Sequence, residues 1–132
     1  MSLNDPISDV LTKIRNASRA RLPMVDVRPS KFTERILEVL KREGFIRMYK
    51  TIGEGPTERF CRVWLKYSNK TPALSQIVRI SKPGVRRYSK SRQLPRVRRG
   101  LGVAVVTTSQ GVMTEHEAYR KKVGGEIVCY IW

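Results

Sequence analysis

Apolar residues first recur along this chain at a helical period. Ile7, Val10, Leu11 and Ile14 fall at i, i+3, i+4 and i+7, one stripe of an amphipathic helix, and Asp5 before Pro6 reads as an N-cap followed by a first-turn proline. Lys13, Arg15, Arg19 and Arg21 gather toward the C-terminal end of this helix, where its dipole favours cations. Pro23 predicts the stop and Met24 to Arg28 a short strand. Ser30 caps a second helix with Phe32, Ile36, Leu37 and Leu40 inward and Gly44 at its end. From Phe45 the period falls to two. Ile46, Met48 and Ile52 share one strand face, Cys61, Val63, Leu65 and Tyr67 share another, and residues 53–58 read as the hairpin loop between them.

Ser68-Asn69-Lys70-Thr71-Pro72 is a polar break, and the boundary between two modules, residues 1–70 and 71–132, is placed there. Ile77 to Ser81 predicts a strand, and Lys82-Pro83-Gly84 a type II turn with proline at i+1 and glycine at i+2. Leu94 to Gly100 is an irregular basic connection. Gly102 to Val106 is a β-type run that ends in three hydroxyl residues, Thr107, Thr108 and Ser109, after which Gly111 turns the chain and Thr114 starts a helix. Thr114 with Glu117 makes a capping box, and Gly124-Gly125 closes the helix. Glu126 to Trp132 is a final strand in which Ile127, Cys129 and Ile131 alternate with Val128, Tyr130 and Trp132. Together these elements predict an α/β (α+β) fold of two small packed modules. The N-terminal one combines helices and strands with a β-hairpin, and the C-terminal one is mainly β with one short helix.

Composition and charge narrow the chemistry. At 132 residues and 40% hydrophobic content, the chain can bury one ordinary core or two small ones. Lys and Arg total 27 against 11 Asp and Glu, a formal net charge of +16. Solubility needs only a net charge of roughly 2–8, so a surplus of this size points to a polyanionic partner. The densest run lies between Lys82 and Arg99. No apolar run approaches the roughly 20 residues of a membrane-spanning helix, and no basic amphipathic segment presents a broad apolar face, so no membrane partner is expected. The start lacks a secretory pattern and runs straight into the helix cap, so the chain reads as cytoplasmic. Cys61 and Cys129 each sit in an alternating apolar run and read as buried hydrophobes; with His116 they make no zinc spacing.

Gly100-Leu101-Gly102 precedes a strand rather than a helix, the wrong context for a dinucleotide fingerprint. The glycines at 53 and 55 are followed by no Lys-Ser/Thr and read as turn residues. Ser109, Glu117 and His116 could be offered as enzyme groups. Yet no paired acids, no base beside a nucleophile and no phosphate loop accompany them, so neither catalysis nor a cofactor nor a metal is expected. The tract from Thr107 to Thr114 carries the positive expectation. It displays hydroxyls and free backbone N–H groups together, suited to nucleic-acid edges, sugars and phosphates, and a helix N-terminus adds anion affinity.

Ser81-Lys82-Pro83-Gly84, Leu94-Pro95, Gly100-Leu101-Gly102, Thr108-Ser109-Gln110-Gly111-Val112-Met113-Thr114, Glu117-Ala118, Gly124-Gly125-Glu126 and Cys129-Tyr130-Ile131-Trp132 resemble the bacterial form of the eighth small-subunit ribosomal protein family. Asn4-Asp5-Pro6-Ile7-Ser8-Asp9 and Ile14-Arg15-Asn16-Ala17 extend the resemblance to the start. It implies a two-module α/β protein that binds the central domain of small-subunit ribosomal RNA, at a helix with an irregular internal loop, early in assembly. Neighbouring small-subunit proteins are implied partners, as is, in many bacteria, a similar element in the messenger of the protein's own operon.

Residue by residue, Thr108 and Ser109 carry over as RNA contacts, while Thr107 stands where the family usually has serine and adds a methyl group. Tyr88 occupies the family's tyrosine position and reads either as a ring stacked on a base or sugar or as a half-buried strand tyrosine. Glu126 reads either as an acceptor for a base amino group or as one side of an intramolecular salt bridge. Lys82, Arg86, Arg87 and Lys90 would supply phosphate attraction.

Overall fold

The computed structural model describes residues 5–55 and 57–132. Residues 1–4, part of the resemblance at the start, and Pro56, part of the expected hairpin loop, lie outside them. The chain forms two compact units, Pro6–Ser75 and Gln76–Trp132 with Asp5.

In the first unit, helix α1 (Pro6–Arg19) buries Ile7, Val10, Leu11 and Ile14, the stripe expected from the period, together with Ala17 and Ser18. Ser18 Oγ, buried and polar, donates to the Leu74 carbonyl at 2.7 Å. Strand β1 (Met24–Val27) follows, then α2 (Lys31–Arg42), whose Ser30 cap accepts from Thr33 N–H. Strands β2 (Ile46–Ile52) and β3 (Phe60–Leu65) complete a three-stranded antiparallel sheet in the order β1-β3-β2. On the helix side Val27, Cys61, Val63, Leu65 and Ile46 are buried with Ile36, Leu37 and Leu40 of α2.

The strict alternation expected of β2 does not hold. A bulge between Ile46 and Met48 slips the register by one residue, so that Ile46 pairs with Leu65 but Met48 pairs with Trp64. Met48 thereby leaves the face of Ile46, is 41% exposed, and gives its place to Tyr49 and Thr51, opposite Val63 and Cys61. Both polar tips are tied to α2: Tyr49 Oη donates to Glu38 at 2.9 Å and Thr51 Oγ1 to Glu34 at 2.6 Å. Burial and the Glu38 bond together push the Tyr49 phenol up to about 12. The polar break at 68–72 is a tight hairpin of β4 (Tyr67–Ser68) and β5 (Thr71–Pro72), with Asn69 and Lys70 both at positive φ as a type I′ turn requires.

The second unit is built on β10 (Gly125–Ile131). It pairs with β6 (Ile77–Arg79) on one side and with β8 (Val103–Thr108) on the other, and β8 continues to β9 (Gly111–Thr114). A short strand, β7 (Tyr88–Ser89), joins the start of β10. The glycine at 111 does not lead directly into the helix as expected, because Gly111 to Thr114 first form a strand. Helix α3 (Glu115–Arg120) starts only after Thr114, whose capping box with Glu117 is present as predicted.

A second bulge, at Val128, separates Ile127, opposite Val106, from Cys129, opposite Val105. Ile127 therefore packs with Val97, Ala104, Val106, Tyr130 and Trp132 rather than sharing a face with Cys129 and Ile131, which corrects the simple alternation.

Two turns also depart from expectation. Gly84 lies outside the positive-φ region, so Lys82 to Val85 is not a type II turn, although Val85 N–H donates to the Lys82 carbonyl at 3.0 Å. Nor do Gly124 and Gly125 end α3. Lys122 does, at φ 57, with its N–H on the Tyr119 carbonyl and that of Val123 on Ala118. The same pair of bonds ends α1 at Arg21 and α2 at Gly44, each followed by an apolar residue, Leu22 or Phe45.

Candidate functional site

The tract Thr107 to Gly111 is the tip of the β8–β9 hairpin. β-Branched residues from Val103 to Thr108 favour the strand, and Gly111, at φ 120, takes the conformation that lets it reverse. Thr108 Oγ1 locks the turn, accepting from Gln110 N–H at 3.0 Å and donating to the Gly111 carbonyl at 2.9 Å. The three hydroxyls do not form one display. Thr107 pairs with Val112 and with Glu126, Thr108 with Gly111 and with Gly125, so strand alternation turns them to opposite faces while Ser109 stands exposed at the tip.

Register then assembles a row that spacing alone does not reveal. Tyr88 pairs with Glu126, Glu126 with Thr107 and Thr107 with Val112, so these four side chains lie side by side across β7, β10, β8 and β9 on one face. The bulge at Val128 sets this alignment, since it moves Glu126 onto the face of Cys129 and Ile131. Tyr88 is 72% exposed, so its ring is not the half-buried strand tyrosine of the alternative reading. Close strand approach depends on missing side chains: a Cβ on Gly125 would stand 2.1 Å from the Thr107 carbonyl oxygen, and one on Gly124 2.3 Å from that of Ser89.

Glu126 is the best-held member of the row. Its Oε2 accepts from Ser81 Oγ at 2.7 Å and from Arg86 at 3.0 Å, so the intramolecular salt bridge is present. Ser81, fully buried, also accepts from the Arg87 N–H at 2.7 Å, and the Arg87 carbonyl accepts from Ile127 N–H. This network fixes the segment carrying Arg86, Arg87 and Tyr88 against β10. Ser81 is the supporting residue of this network that residue-by-residue reading missed; the signal available was a serine closing an apolar strand, where a buried hydroxyl needs partners. Lys82, Arg86, Arg87 and Lys90 are all exposed around the row.

The N-terminus of α3, expected to add anion affinity, is capped by side chains of the chain itself. The helix has six residues, Thr114 Oγ1 takes the Glu117 N–H at 3.2 Å, and Glu117 reaches back to Thr114 N–H at 3.3 Å. Glu115 is turned to the Ala104 N–H, at 3.2 Å. Both first-turn carboxylates are thus engaged by backbone N–H groups of this chain. The cysteines are buried and unbonded to each other, and burial pushes the Cys129 thiol up to about 12, far from a reactive thiolate. Among the described residues no three His, Cys, Asp or Glu side chains gather as metal ligands, and no helix is long and apolar enough to cross a membrane.

Comparison with known proteins decides the lineage. The sequence profile of the family described as Ribosomal protein S8 matches residues 5–132. The chain belongs to the ribosomal protein S8 family. Curated relatives carry the name small ribosomal subunit protein uS8: that of Dictyoglomus thermophilum is 50% identical over 132 residues, that of Chloroflexus aurantiacus 48% over 133, and that of a Synechococcus species 50% over 134. Each alignment covers 100% of both chains. As an S8 family member, the chain is a structural, non-enzymatic protein of the small ribosomal subunit, and Ser109, His116 and Glu117 are not catalytic groups.

Proposed function

We propose that this S8 protein binds the central domain of small-subunit ribosomal RNA directly, through the end of the second unit's sheet where Tyr88, Glu126 and Thr107 share a row and Ser109 stands at the hairpin tip. The observation that carries this reading is that row: an exposed ring, a held carboxylate and a hydroxyl at adjacent strand positions, ringed by exposed basic side chains. Double-stranded RNA hides its base edges in a deep, narrow groove. Selectivity accordingly comes from an irregular loop or widened minor groove, against which Thr107 and Ser109 hydrogen-bond sugars and base edges and Tyr88 stacks. Thr108, whose hydroxyl is spent inside the turn, shapes the tip and contacts RNA through its remaining surface. Glu126 acts mainly by fixing Arg86 and the strand edge, with its carboxylate available to a base amino group. Lys82, Arg86, Arg87 and Lys90 neutralise phosphates.

This binding supports small-subunit assembly, brings neighbouring small-subunit proteins alongside, and extends to a similar element in the messenger of the protein's own operon. The test is Ser109→Ala, measured on a central-domain fragment containing the irregular loop and on a fully paired control of equal length. The expected result is a loss of roughly 10-fold on the irregular fragment, of the order of one good hydrogen bond to a charged or polar group, with little change on the control. Equal losses on both would remove the reading role.

A further inference from the structure

On the face of the three-stranded sheet turned away from the helices, cross-strand register builds another row system. Met24 and Met48 flank Trp64; two residues along β3, Asp26 and Lys50 flank Arg62; beyond them Ile52 lies beside Phe60. Phe60, Arg62 and Trp64 are alternate residues of the central strand, so they point the same way at intervals of roughly 7 Å. All three end in planar groups. The Arg62 guanidinium lies over the Phe60 ring at 5.2 Å and is held by a two-point bond to Asp26, Nε to Oδ1 at 2.9 Å and Nη2 to Oδ2 at 3.2 Å. Met24 and Met48, which border Trp64, are 39% and 41% exposed. A sheet face left to water would carry polar side chains at these positions.

We propose that this face binds an extended single strand of RNA, with bases stacking on Trp64 and on the free side of the Arg62 plane, whose other side rests on the Phe60 ring, and a phosphate meeting Lys50. Three arguments favour RNA over a protein partner. Planar groups at every second residue of one strand match the way splayed bases stack on aromatic rings and guanidinium planes. The one acid in these rows, Asp26, is already engaged by Arg62, which leaves Lys50 as the uncompensated charge. The chain's net charge of +16 attracts phosphate and repels basic proteins. The face lies in the unit that does not contain the Thr107 to Ser109 tip, so the two surfaces can be tested apart.

The test uses the full chain and a short single-stranded oligouridylate, read by anisotropy of the labelled probe and by tryptophan fluorescence. Binding should quench the wild-type emission, and Trp64→Thr should weaken it by roughly 10-fold. Trp64→Phe, which keeps a ring, should retain most of the affinity. Arg62→Lys, which keeps the charge and loses the plane, should weaken it several-fold, and this variant decides the matter if Trp64→Thr does not fold. Oligouridylate affinity unchanged in both Trp64→Thr and Arg62→Lys overturns the proposal, as does a Trp64→Thr effect confined to self-association or protein binding. Normal recognition of the irregular central-domain fragment alongside such a result would leave the reading of the Thr107 to Ser109 end standing.

Discussion

Ser81 is fully buried between two partners, its hydroxyl donating a hydrogen bond to Glu126 and accepting one from the Arg87 N–H. Alanine there removes one of the two donors to the Glu126 carboxylate and leaves the Arg87 N–H without its acceptor. Ser81→Ala should therefore cost about 1–3 kcal/mol in urea unfolding and, by loosening Glu126 and the Tyr88 strand, also weaken the irregular RNA fragment more than a paired control. Retained stability would show that water replaces the hydroxyl and that the network is not a support. The role of Glu126 stayed open in the sequence for a physical reason: its partners Arg86 and Ser81 are 40 and 45 residues away, beyond any local pattern. Cys129 makes a different residue-scale prediction. Its thiol is raised from an ordinary 9.0 to about 12 by burial, so the folded state holds the proton more tightly than the unfolded chain. The stabilisation is fully present below pH 9 and lost as pH rises toward 12. Cys129→Ala should lose less stability than the wild type across that window in thermal melts.

Elements were legible wherever a period ran unbroken. The α1 stripe, the Ser30 cap of α2 and the capping box of α3 all follow from residue type and spacing, because helix contacts are local. Strand faces were legible only until a bulge. One extra residue in β2 sends Met48 outward, and one in β10 separates Ile127 from Cys129; neither insertion leaves a mark such as glycine in the run. The candidate site shares this limit, since its residues could be named from motif resemblance but their row depends on the β10 bulge. Gly125 tests that row at the scale of strand packing. A Cβ there meets backbone at 2.1 Å, so Gly125→Ala should destabilise by at least about 1–3 kcal/mol and impair RNA binding. Gly84→Ala, with nothing within 4 Å and no positive φ, should stay within about 0.5 kcal/mol of the wild type. Similar costs for the two in urea melts would remove close strand approach as the reason for Gly125.

At the scale of the whole molecule, the proposed function divides the work between charge and local geometry. The surplus of +16 would draw any RNA in a salt-sensitive way, and the strand row and hairpin tip would distinguish one RNA from another. If about six to ten phosphates are engaged, affinity should fall by roughly 10³–10⁵ between about 50 and 200 mM salt, by the duplex-DNA relation. The most direct measurement is equilibrium binding of the wild-type chain to the irregular central-domain fragment and to its fully paired counterpart over one salt series. The account predicts that both affinities fall with salt while the irregular fragment keeps its advantage throughout. Two curves that coincide at every salt concentration would contradict it, leaving a surface that recognises phosphate and nothing more.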